Sequence, residues 1–162
     1  MVAAQTPRLW RARAPAVAAL APQAAGEPRA GRAEGGGAVR FCVDLDGTLD
    51  SFTAFFIPLL AAIKQADPTG AQVWVTVLTG VDHDPPVRPE EFDEKRQYLN
   101  ELGYGQLYDE LVLVARPHDE NKAMWVTDND ARALIDNSKA NVKAMPASCL
   151  GLLCWQTRED GS

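Results

Sequence analysis

Cysteine is scarce in this chain: only Cys42, Cys149 and Cys154 occur in 162 residues, and no two of them form a C-x-x-C pair. An odd, scattered set of thiols supports neither a disulfide framework nor a zinc site, and it fits a reducing compartment, so the expected location is cytoplasmic. The only two histidines, His83 and His118, fall in loop-like stretches without neighbouring ligands, which argues against a histidine metal centre. No apolar run approaches the roughly 18 residues of a membrane-spanning helix, so no membrane partner is expected. Positive charge is also short. Residues 39–162 carry 11 basic against 20 acidic side chains, a net of −9, whereas residues 1–38 carry 5 Arg and 2 Glu, a net of +3. A sequence-blind nucleic-acid binder needs a cationic face to displace counterions, so the charge balance argues against nucleic acid except as a phosphorylated end.

Residues 1–38 contain 13 Ala, 5 Gly and 4 Pro and close on Gly35-Gly36-Gly37. That composition buries too little apolar surface to offset the entropy of ordering a chain, and the segment reads as a disordered extension. Its Arg-bearing, acid-poor character would suit an organelle transit peptide. The absence of Ser and the frequent Pro and Gly favour a plain extension instead, or an upstream stretch that is not part of the native product. Residues 39–156 form the expected folded domain, and 157–162 a polar tail.

From Val39 onward short apolar runs alternate with amphipathic stretches. Strands are predicted over 39–43, 72–78, 111–114, 133–135 and 150–154. Phe52, Phe55, Phe56, Leu59, Leu60 and Ile63 recur at helical spacing, with Pro58 marking either the start of that helix or a kink. A second helix is predicted over 89–102, opened by Pro89 and stopped at Gly103, and a short third over 120–126. Strands that alternate with helices imply a small doubly wound, Rossmann-like parallel sheet of five strands, with helices on both faces. Trp74, Trp125 and Trp155 read as packing residues, and Cys42 and Cys154 as small buried hydrophobes.

Ligands of such a sheet bind outside the carboxyl ends of its strands. The first strand is followed by Asp44-Leu45-Asp46-Gly47-Thr48-Leu49, and the second ends in Thr79-Gly80. Lys122 precedes the fourth, and Asp136-Asn137-Ser138 follows it. Three carboxylates gathered at one edge repel one another unless a cation holds them, and all-oxygen donors without His or Cys point to Mg²⁺ bound by Asp44, Asp46 and Asp136. With metal and lysine neutralising a phosphoryl group, one carboxylate could attack phosphorus, while a second, two residues on, could move a proton. The loop from Gly80 to Arg88 is placed to form the rim, with Arg88 available to a second anionic group.

These residues resemble the motifs of the haloacid dehalogenase-like (HAD) phosphohydrolases. Phe41-Cys42-Val43-Asp44-Leu45-Asp46-Gly47-Thr48-Leu49 is similar to the first motif, Val77-Leu78-Thr79-Gly80 to the second, Lys122 to the third and Leu134-Ile135-Asp136-Asn137-Ser138 to the fourth. The resemblance runs over roughly residues 39–155. It implies a Mg²⁺-dependent phosphomonoester hydrolase with Asp44 as the nucleophile that becomes an aspartyl-phosphate. Asp46 would be the general acid/base, with its backbone carbonyl on the metal. Thr79 and Gly80 would bind the phosphoryl oxygens, Lys122 would be the neutralising cation, and Asp136 would complete the metal shell. Asn137 stands where the fourth motif usually has a second acid. Lys139 and Lys143 compete with Lys122, which lies close to Asp136. The intervals from Asp46 to Thr79 (33 residues) and from Thr79 to Lys122 (43 residues) leave no room for an inserted cap, so the resemblance implies a capless type. Such an open site would admit a phosphorylated small molecule or macromolecule and is compatible with a homo-oligomer. The rival from another class is a non-catalytic or regulatory HAD-like domain that binds a phosphorylated partner. A response-regulator-like receiver fits less well, because its lysine follows the last strand.

Overall fold

The computed structural model describes residues 37–155. Nearly all of the expected extension, residues 1–36, and the polar tail at 157–162 lie outside the described residues. In chain order the elements are β1 (Val39–Val43), a wide turn over Leu45–Leu49, α1 (Thr53–Ala66), β2 (Val73–Gly80), α2 (Pro89–Glu101), β3 (Glu110–Val114), α3 (His118–Asp128), β4 (Ala131–Asp136), α4 (Lys139–Ala144) and β5 (Leu150–Leu153).

The five strands form one sheet in the order β3-β2-β1-β4-β5, and every pair is parallel. This is the doubly wound α/β architecture. Side chains of a strand alternate between faces, and the core divides accordingly. Val43 of β1 with Val75 and Val77 of β2 packs on one face against Phe56 and Leu60 of α1 and Leu99 of α2. Cys42 and Leu78, their sequence neighbours, face the other way and pack with Val126 of α3 and with Leu134 and Cys149. Each large apolar side chain buried this way contributes about 1.5–3 kcal/mol. Among the described residues no helix is long and apolar enough to cross a membrane.

Several local expectations are refined. α1 runs through Pro58 rather than starting there; Pro58 is exposed, and so is Ala54, whose carbonyl loses its intrahelical donor. Phe55, expected on the buried stripe, is exposed. Trp155 is exposed as well, because β5 is an edge strand that ends before it. Cys154 likewise lies beyond β5 and is partly buried, while Cys42 is fully buried in β1.

Candidate functional site

The strand order reverses at β1, since β2 and β3 extend to one side of it and β4 and β5 to the other. At such a switch point the loops leaving the carboxyl ends of neighbouring strands diverge and open a crevice. Register decides which residues meet there. Val43 of β1 pairs with Ile135 of β4, and the Asp44 N–H donates to the Ile135 carbonyl at 2.9 Å, so Asp44 and Asp136 emerge side by side. Val43 also pairs with Val77 of β2, which brings Thr79 level with the turn that follows β1.

That turn is fixed by its own sequence. Gly47 has φ = +81°, a left-handed conformation open to glycine, and a Cβ there would meet Asn137 Nδ2 at 2.0 Å. Asp50 Oδ1 accepts from the Gly47 N–H at 2.7 Å. From below, the buried Tyr104 hydroxyl donates to the Leu49 carbonyl at 2.8 Å. Asn137 therefore serves the loop as a neighbour pressed against its glycine.

The centre of the site is a buried charge cluster. Lys122 of α3, 1% exposed, reaches Asp44 Oδ1 at 2.7 Å and Asp136 Oδ2 at 2.6 Å. Asn141 Nδ2 and the Ser138 N–H also donate to Asp136, at 2.9 and 2.7 Å. Lys139 and Lys143 are both exposed, so Lys122 is the lysine that lies between the acids. Burial pushes the Asp44 carboxyl up to about 6; Lys122 pulls it back, and Asp136 pushes it further. Burial by itself would lower the Lys122 pKa, but the two carboxylates outweigh it and hold the ammonium above its ordinary range. With both acids ionised, the cluster carries one positive and two negative charges.

Asp46 is turned away from this group. Its carboxylate accepts from Lys95 Nζ of α2 at 2.9 and 2.7 Å and from Thr79 Oγ1 at 3.0 Å. The three carboxylates expected to share one ion therefore do not converge, because Lys95 has taken the third. Among the described residues no three Asp, Glu, His or Cys side chains form a ready ligand set. The remaining donor chemistry still fits a hard cation. Asp44 presents a carboxylate to the cavity, and of its two oxygens only Oδ1 carries a hydrogen bond among the described residues, whereas Asp136 is fully buried behind it with both oxygens accepting, Oδ2 from Lys122 and Asn141 and Oδ1 from the Ser138 N–H. Magnesium characteristically uses one or two carboxylates and takes the rest of its shell from water and phosphate.

A cavity of about 440 Å³ opens over the cluster. Asp44, Asp46, Thr79, Gly80 and Lys122 all line it, as does Asn137, whereas Asp136, expected among the metal ligands, is fully buried beneath and does not. Arg88 does not; its N–H and guanidinium both engage Glu91 at the start of α2, at 2.7 and 3.3 Å. The reason is local, since Glu91 caps the first turn of α2 and also meets His83 Nε2 at 2.6 Å. The wall that sequence reasoning missed is α2 itself, which supplies Glu91, Glu94 and Lys95, together with His118 of α3. His118 packs over Gly80, where a Cβ would meet its ring at 2.8 Å, and its Nε2 donates to the Val81 carbonyl at 2.9 Å. Polar side chains on an amphipathic helix look like a solvated face, so nothing in their spacing marked them.

No family model matches the chain, and no curated protein does. Among solved structures, a protein from the universal stress protein family of Burkholderia pseudomallei aligns with a TM-score of 0.46 at 17% identity, over 75% of this chain and 98% of that one. The resemblance to the HAD-like group is corrected accordingly, since no family model of that group or of any other matches the chain. With membership go the phosphomonoester hydrolase assignment, the enzyme class and the regulatory HAD-like alternative. The physical reason lies in the architecture. A five-stranded parallel sheet of this order carries the ends of β1, β2 and β4 and the start of α3 to one edge in whatever family it occurs. Acid, threonine and lysine in that order therefore report the fold before they report a reaction.

Proposed function

We propose that the cavity at the carboxyl edge of the sheet binds a phosphate-bearing ligand together with Mg²⁺. The observation that carries this reading is a charge deficit. Asp44 and Asp136 are buried and share the single ammonium of Lys122, which leaves one negative charge uncompensated at the cavity floor. Asp46 and Lys95 cancel each other. A phosphate entering on its own would meet net negative charge. A divalent ion held on the Asp44 carboxylate, over the buried Asp136, turns the floor to net positive and supplies the electrostatic attraction an oxyanion needs. Thr79 and Gly80 close one side of the pocket, and Lys122 lies within it.

The ligand is a single phosphate end, borne by a small molecule or a macromolecule. Asp82 and Glu94 on the rim repel a polyanionic backbone, in keeping with the acidic balance of the chain. The test is calorimetric titration of the full-length protein with inorganic phosphate, with Mg²⁺ and then with EDTA. Binding that appears only with Mg²⁺, and that Asp44→Asn abolishes, supports the reading. Phosphate binding of equal strength in EDTA, or none under either condition, refutes it.

A further inference from the structure

Lys95 stands in the middle of α2 (Pro89–Glu101), a helix whose ordinary task is to cover β2 and β3. Its natural partner on a helix surface is the acid four residues earlier, Glu91. That acid is already held by His83 and by the N–H and guanidinium of Arg88. Lys95 instead crosses to the turn after β1 and places its ammonium on both oxygens of Asp46, a residue 49 positions away in sequence. Asp46 is half exposed and lines the cavity, so its charge is felt by whatever enters.

We propose that Lys95 is a positioning residue that selects the sign of the ligand: its ammonium cancels Asp46, so the cavity accepts an anion rather than a second cation. Asp46 is held against Thr79 in the same arrangement, because Asp46 Oδ2 accepts from both Lys95 Nζ and Thr79 Oγ1. Without Lys95 the cavity wall gains one uncompensated negative charge, that of Asp46. The two ligands of the proposed site then respond in opposite directions. Mg²⁺ is held more tightly, and phosphate is repelled.

This inference rests on the Mg²⁺ and phosphate reading above, and one experiment separates the two. Full-length protein and its Lys95→Met and Lys95→Arg variants are titrated with Mg²⁺ alone, and then with inorganic phosphate at saturating Mg²⁺. One uncompensated charge at this range corresponds to about a tenfold change in affinity. Lys95→Met is expected to bind Mg²⁺ several-fold more tightly and phosphate about tenfold more weakly, and Lys95→Arg to restore both. A Lys95→Met variant that weakens both ligands together acts through structure alone, and one that changes neither shows that the charge is not felt; either result overturns the inference while the site reading stands. A parent protein that binds neither probe overturns both.

Discussion

Asp44→Asn should make the protein more stable, although it removes a residue from the centre of the site. Asp44 is 4% exposed, so its carboxylate loses most of its hydration on folding. Its folded pKa stands at about 6, against about 3.9 in an unfolded chain. The native state therefore binds protons more readily than the unfolded state between those values. The stabilising contribution of proton binding is fully present below about pH 3.9 and is lost as pH rises through 6. A gap of about two units corresponds to roughly 3 kcal/mol of destabilisation carried by the ionised group at pH 8. Asparagine removes the charge and keeps the shape, and its amide oxygen can still accept from Lys122 Nζ, which retains Asp136 as its counter-ion. For a domain of this size the gain is about 10 °C in Tm at pH 8. It should fall to about half at pH 5 and vanish below about pH 4. Circular dichroism melts in EDTA across this range measure it, with the metal kept out of the balance. An Asp44→Asn variant that melts at or below the parent temperature at pH 8 would refute the account of the buried cluster.

Two further outcomes follow from the loop and from the edge of the sheet. Gly47→Ala forces a side chain into φ = +81° and onto Asn137, which costs about 1–2 kcal/mol for the backbone alone; urea denaturation should show that loss, and adding Asn137→Ala should recover part of it by removing the clash. Asp67 accepts from the N–H groups of Val73, Gln72 and Ala71, which hold its carboxyl below the ordinary range. That stabilisation is present above the unfolded pKa of about 3.9 and is lost as pH falls through the lower folded value, so Asp67→Ala should lower Tm at pH 7 and flatten the acid limb of the Tm–pH curve. An acid limb as steep as the parent's would remove Asp67 as its source.

Strand positions were readable to within one or two residues because a parallel strand covered on both faces must be largely apolar, as Val73–Gly80 is apart from Thr76 and Thr79. Asp44, Thr79, Lys122 and Asp136 were readable as a group for a related reason: Asp44 follows β1, Thr79 is next to last in β2, Asp136 ends β4 and Lys122 lies near the start of α3, elements whose places in the sheet follow from the alternation of strands and helices. Trp155 was misplaced because an apolar residue beyond an edge strand has the same local pattern as a core one. The family reading failed at the same level, since every protein that winds a sheet this way has strand ends at this edge, and residues placed there do not by themselves name a family.

The order of apolar runs, helix stripes, glycines and acids along the chain was enough to determine a doubly wound sheet with a charged carboxyl edge, because burial and backbone conformation are set by local pattern. Which charges neutralise which was decided only by the tertiary structure. Strand register placed Asp44 and Asp136 on either side of Lys122, and the crossing of α2 over the cavity gave Asp46 to Lys95. Coulomb energy depends on distance through space, and spacing along a sequence carries no record of that distance.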